Sequence, residues 1–271
     1  MIRSNVVTGG GRGIGRAVAE RLLRGGEGVV AIERDTEALA WVDGHPARGR
    51  VAAVAGDAAD EVVAERAADR ASAIGTLSGW VNNAAVFRDA SLHSAPVQVV
   101  LDLIAGSLDA AVTGSAVAVR RFLAEGTGGA IVNVSSYQAR QAVPGCLPYV
   151  TAKAAVEGLT RALAVEYGPY GIRANAAAPG SVATERYRDL LDAQGPEASA
   201  RTEQEMGRLH PLGRVARPEE VAAVVVHLLS AEASFVNGAT VPVDGGRSVL
   251  ARDPEAAPAP IASAPRSRRT R

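Results

Sequence analysis

A short apolar run, Asn5-Val6-Val7, passes straight into Thr8-Gly9-Gly10-Gly11-Arg12-Gly13-Ile14-Gly15, and an amphipathic pattern begins at once. Ile14, Val18, Leu22 and Leu23 mark one face of that helix. A strand, a glycine loop and a helix start in so few residues leave little freedom in the fold. They point free backbone N–H groups and the positive end of a helix dipole at one spot, which makes an anion site. The spacing is T-G-x-x-x-G-x-G, not G-x-G-x-x-G. A glycine-rich turn without a ligand is the competing reading; the flanking strand and helix weigh against it.

The same alternation continues along the chain. Gly28 to Ile32, Val51 to Val54, Leu77 to Val81, Ala130 to Val134, Ile172 to Ala178 and Thr240 to Val243 read as further strands. Helical patterns separate most of them, the longest over residues 96–125 and the last opening at Pro218. Alternating strands and helices imply a mainly parallel sheet covered on both faces, with ligands outside the carboxyl ends of the strands. Gly9 to Gly15, Glu33 with Arg34, Asp57, Asn83, Ser136 and Pro179-Gly180 all fall at such ends. An acidic residue about 20 positions after the glycine loop can accept hydrogen bonds from an adenosine ribose, and Glu33 stands there. Residues 183–212 show no strand and carry Gly195, Pro196 and Pro211, which suggests a mobile lid.

Composition narrows the function classes. A chain of 271 residues suffices for one large α/β core, and zero formal net charge argues against nucleic acid and anionic membrane as partners. One cysteine, Cys146, forbids an internal disulfide and fits a reducing cytoplasm. Met1 leads almost directly into a strand, without a basic leader or cleavage signal, and no apolar stretch is expected to span a bilayer. His45, His93, His210 and His227 lack metal-ligand spacing, so no metal is expected. Residues 1–250 are expected to form one domain and residues 251–271, rich in Ala, Pro and Arg, a disordered tail.

Tyr149 and Lys153 stand one helical turn apart on one face. A phenol titrates near about 10 in water, and a fixed ammonium beside it favours phenolate, tuning it for proton transfer to a substrate oxygen. Alone, such a pair is usually an ordinary helix surface. Its company changes that reading.

TGGGRGIG, the YxxxK pair at Tyr149 and Lys153, Ser136 thirteen residues upstream, Ile172-Arg173-Ala174-Asn175 through Pro179-Gly180 and Thr184, and Val243-Asp244-Gly245-Gly246 occur in order. Together they resemble the short-chain dehydrogenase/reductase family, compact single-domain subgroup, from about Asn5 to Gly246. The resemblance implies a Rossmann-like doubly wound parallel sheet of α/β class. It implies that Gly9, Gly13, Ile14 and Gly15 approach a cofactor pyrophosphate, and that Asp57 and Ala58 meet the adenine. Asn83, Ala84 and Ala85 would border the ribose, and Pro179, Gly180, Val182 and Thr184 the nicotinamide. Lys153 would hold the nicotinamide ribose, Tyr149 would carry the proton and Ser136 would bind the reacting oxygen.

The implied activity is hydride transfer between a nicotinamide cofactor and a small secondary alcohol or ketone, by a homo-oligomer, dimer or tetramer. NAD is the expected cofactor because Glu33 repels a 2′-phosphate; NADP is the alternative, through Arg12 or Arg34. Tyr137, Gln138, Val143, Cys146, Leu147 and residues 183–212 are expected around the substrate. Two positions depart from the family pattern: Ala85 stands where it has Gly, and Ala111 where it often has a catalytic Asn. Ser107 is one candidate to replace that Asn; water on backbone carbonyls is the other. The competing functional reading is a cofactor-binding protein with weak or no turnover. A nucleotide-sugar epimerase of the extended branch would need a longer chain.

Overall fold

The computed structural model describes residues 2–251, Asp253 and Glu255. The tail expected over residues 251–271 thus falls almost wholly outside the described residues. Seven strands form one sheet: β1 (Arg3–Thr8), β2 (Gly28–Glu33), β3 (Val51–Ala55), β4 (Thr76–Asn82), β5 (Gly129–Val134), β6 (Ile172–Pro179) and β7 (Thr240–Val243). Every neighbouring pair is parallel, in the order β3-β2-β1-β4-β5-β6-β7. The expected fold class stands.

Both faces of the sheet are covered, so alternate residues of one strand enter different cores. Val6, Val30, Trp80 and Ile131 pack under α2 (Glu61–Ile74), α3 (Val97–Glu125) and α4 (Leu147–Tyr167). Val7, Val29, Val81 and Val132 pack under α1 (Gly13–Arg24) and α7 (Pro218–Leu229). Residues buried this deeply contribute about 1.5–3 kcal/mol each before chain entropy is counted. The segment 183–212, expected as a lid without strands, holds two helices, α5 (Glu185–Gln194) and α6 (Pro196–Leu209). Neither has a fully buried residue, so their apolar periodicity is too faint to read in sequence.

Behind the sheet's carboxyl edge lies a polar knot. The Asn82 Oδ1 accepts from Trp80 Nε1 at 2.9 Å, and its Nδ2 donates toward Asn133 Oδ1 (2.8 Å), Ser115 Oγ (3.0 Å) and Ala111 O (3.2 Å). Asn133 in turn donates to Thr160 Oγ1 at 2.9 Å. Leaving one such buried group unpaired costs about 1–3 kcal/mol, so the knot fixes β4, α3, β5 and α4 together. Gly114 makes room for it: a Cβ there would stand 2.2 Å from Asn82 Oδ1.

Among the described residues one helix, α3, is long and apolar enough to cross a membrane by length and composition, with mean hydropathy 1.4 over an 18-residue window. The expectation that no stretch is so apolar is corrected. Asp102 and Asp109 are the only charged residues in the first 23 of α3, and interspersed Ala, Gly and Ser hide the apolar total from a reading of individual residues.

Candidate active site

The reversal of strand order between β1 and β4 opens the crevice where open α/β sheets bind ligands. Thr8, fully buried at the end of β1, ties the glycine loop to the end of β4. Its Oγ1 accepts from the N–H groups of Asn83 (2.9 Å) and Ala84 (3.0 Å). Asn83 Nδ2 returns the link, donating to the Thr8 and Gly9 carbonyls at 3.1 Å each.

Two clefts meet there. The first is lined by Gly9, Glu33, Arg34, Asp57, Ala58, Asn83, Ala84 and Ala85. The second shares Asn83 and Ala85 and continues past Ile14, Ser136, Tyr149, Lys153, Pro179, Gly180, Val182 and Thr184. Of the residues expected in the site, Arg12, Gly13 and Gly15 line neither cleft. Arg12 is exposed and paired with Asp35 at 2.6 Å. The Gly13 N–H donates to Glu185 Oε2 at 3.0 Å, so an anion bound on that N–H has to displace the carboxylate. Gly15 lies under the loop, against the Gly9 carbonyl.

A dinucleotide cofactor fits this frame. Asp57, at the end of β3, is held ionised by the Ala59 N–H and the Arg34 guanidinium, which outweigh its partial burial. Glu33, at the end of β2, accepts from the Arg34 N–H at 2.8 Å and the Gly11 N–H at 3.4 Å. Gly11 is needed there, since a Cβ would stand 2.9 Å from the Glu33 side chain.

Ser136 follows β5 directly and its Oγ accepts from the Gln138 N–H at 3.2 Å. Tyr149 and Lys153 enter from the first turns of α4. Tyr149 keeps some surface in the cleft, yet burial pushes its phenol up to about 12; hydrogen bonding with Ser136 and the charge of Arg186 pull the other way. Lys153 is 3% exposed, and burial pushes its ammonium down to about 8. Its Nζ donates to the Val134 carbonyl at 2.7 Å and stands 5.5 Å from the Tyr149 ring centre. Burial is the largest influence on the phenol and raises its pKa, opposite in direction to the effect expected from the Tyr149–Lys153 spacing alone.

The Ser107 hydroxyl does not serve Lys153. It bridges the Val86 backbone, accepting from N–H at 3.1 Å and donating to C=O at 2.8 Å. Ala111 offers a carbonyl, and Asn82 takes it. Among the described residues no Asn side chain hydrogen-bonds Lys153, whose Nζ bonds the Val134 carbonyl. No group of His, Cys, Asp and Glu that could hold a metal occurs among the described residues.

Tyr137, Gln138, Val143 and Cys146 line the second cleft as expected, with Tyr187, Leu190 and Met206 from the two added helices. Leu147 does not; it opens α4 with 37% of its surface exposed. Sequence reading missed Phe87, Ser181 and Arg247, and it included Arg186 only as one of residues 183–212. Phe87 packs on Tyr149 with ring centres 4.7 Å apart, and no local pattern announces it.

The sheet, the crevice and the paired hydroxyls define a dinucleotide-dependent oxidoreductase frame, and comparison with known proteins makes the class specific. Residues 9–248 match the family model described as enoyl-(acyl carrier protein) reductase. The 2,5-dichloro-2,5-cyclohexadiene-1,4-diol dehydrogenase of Sphingobium indicum is 38% identical over 257 residues, 90% of this chain and 96% of that one. The L-rhamnose 1-dehydrogenase (NAD(P)(+)) of Azotobacter vinelandii is 36% identical over 249 residues, 89% of this chain and 94% of that one. The solved Thermoplasma acidophilum aldohexose dehydrogenase superposes with a TM-score of 0.82 at 30% identity, covering 95% of this chain and 98% of its own. The chain belongs to the short-chain dehydrogenase/reductase family.

Proposed function

We propose that the chain is an NAD(H)-preferring oxidoreductase acting on a secondary alcohol or ketone. The observation that carries this is the convergence of Ser136, Tyr149 and Lys153 on a cleft continuous with the one bearing Glu33 and Asp57. The nicotinamide supplies or accepts the hydride. Tyr149 gives a proton to the substrate oxygen during reduction and takes it back during oxidation. Ser136 holds that oxygen by its hydroxyl, and Lys153 would hold the ribose beside Tyr149. A panel of alcohols and ketones, followed by nicotinamide absorbance, tests the reading; cofactor binding without turnover on any of them would favour the non-catalytic alternative.

Cofactor preference follows from charge. Glu33, Asp35 and Asp57 face Arg12 and Arg34, and each guanidinium is already paired, Arg12 with Asp35 and Arg34 with Asp57. Three carboxylates against two guanidinium groups leave a negative surplus, and a 2′-phosphate adds to it. We expect specificity constants to favour NAD(H) by about tenfold or more, the effect of roughly one charged contact. A preference for NADP(H) would mean that an arginine leaves its carboxylate for the phosphate.

The exposed apolar side chains of α3, Val97, Val99, Leu101, Val112 and Leu123, favour a homo-oligomer, for which we propose a tetramer. The single cysteine suits the cytoplasm, where we place it. Sedimentation at the tetramer mass, from the soluble fraction of broken cells, checks both; a monomer, or recovery with membranes, would contradict them.

A further inference from the structure

We propose that the substrate carries an anionic group, a carboxylate first of all, and that Arg186 and Arg247 bind it. The inference rests on the oxidoreductase reading above and adds the substrate's class. Three cations line the second cleft, Lys153, Arg186 and Arg247, and no Asp or Glu is among its lining residues. Lys153 is spoken for, since its Nζ bonds the Val134 carbonyl beneath the phenol. The two arginines have no carboxylate partner among the described residues, and the one hydrogen bond shown for either is from Arg247 to the Ser181 hydroxyl. The chain pairs many of its other arginines with carboxylates.

Glu185 and Asp244, close in sequence to the two arginines, are engaged elsewhere, and neither they nor Asp189 line the cleft. Glu185 accepts from the Gly13 N–H, and Asp244 accepts from the Gly246 and Ser248 N–H groups. Asp89 stands beside Cys146 Sγ at 3.7 Å. Cations gathered without a counter-charge repel one another, and an anionic ligand is the ordinary remedy.

Both guanidinium groups are also held in place. Arg186, from α5, sits over the Phe87 ring at 3.6 Å from its centre, and Phe87 packs on Tyr149. Arg247, from the turn after β7, sits over the Tyr137 ring at 4.0 Å and donates to Ser181 Oγ at 2.8 Å. Tyr137 directly follows Ser136. Arg186 therefore stands one aromatic ring away from Tyr149, and Arg247 lies on the ring of the residue that follows Ser136. A guanidinium lying on a ring keeps its N–H edges free, and those edges match a carboxylate in a two-point contact. The buried Gln138 Oε1, without a partner in the same cleft, adds an acceptor for a substrate hydroxyl.

The test compares levulinate and oxocyclohexanecarboxylate, each against its methyl ester, as ketone substrates of the full chain. For the wild type, kcat/KM for acid over ester should be about tenfold or more, the scale of a charge-assisted contact. Arg186→Gln and Arg247→Gln should each lower that ratio by about tenfold, with the far-ultraviolet circular dichroism unchanged. Esters favoured over acids in the wild type, or a ratio unmoved by both substitutions, would overturn the proposal. Turnover of neither form would count against the oxidoreductase reading instead. Calorimetric titration then decides the anion site: levulinate binding more tightly than its ester, and losing that advantage in the double variant, supports it; equal binding overturns it.

Discussion

Tyr149→Phe is expected to lower turnover by at least about a hundredfold, the low end of what a positioned acid or base contributes. The substitution keeps the ring that packs against Phe87 and removes only the oxygen that reaches toward Ser136. Folding and cofactor affinity should therefore hold while the chemical step fails. The phenol, pushed up to about 12, stays protonated at neutral pH, so the chain is set as a proton donor. The sign follows: reduction, which needs the phenol, should be nearly flat in kcat/KM between about pH 6 and 7, below the range where the Lys153 ammonium, pushed down to about 8, loses its proton. Oxidation, which needs the phenolate, should rise with pH over the same range. Steady-state rates in both directions check this, with the Phe variant as the baseline. Near wild-type turnover in that variant would remove Tyr149 from the mechanism.

Gly15→Ala should be nearly as severe by a different route. A Cβ at Gly15 would stand 2.0 Å from the Gly9 carbonyl oxygen and 2.7 Å from Asn83 Nδ2. Neither neighbour can yield cheaply. The Gly9 carbonyl is backbone, and Asn83 is the clamp that binds the loop to the end of β4. The loop must lift, and the N–H groups that face an anion lose their aim. We expect cofactor affinity to fall by about tenfold or more and the melting temperature to drop by several degrees, as for an overpacked core. Calorimetry of cofactor binding and a thermal melt measure the two. Unchanged affinity in the Ala variant would show that the glycine loop does not hold the cofactor.

Much of this was legible before any coordinates because the chemistry sits where local pattern ends. Val6-Val7 and Val29-Val30 read as strands because both faces of the sheet are covered, and the next residues, Gly9 and Glu33, inherit their position from the strand. Tyr149 and Lys153 needed only the helical period. What was not legible depends on packing between distant segments. Arg186 and Arg247 are 61 residues apart and belong to a faint helix and a terminal turn, so nothing local marks them as neighbours of one cleft. The phenol's raised pKa was missed for a related reason: spacing shows that Lys153 is near, but not that both groups are buried. Spacing alone leaves Ser107, one turn from Ala111, as one of two candidates for the missing Asn, and only the fold shows its hydroxyl bound to the Val86 backbone.

The central claim is that this cleft passes a hydride to a carbonyl carbon. The direct measurement is mass spectrometry of the alcohol formed from ketones of the panel with a reduced cofactor deuterated on its transferable position. The account predicts one deuterium on the carbinol carbon of the product, formed by the wild type and scarcely by Tyr149→Phe. Product without deuterium, or tight cofactor binding with no product from any ketone, would contradict it.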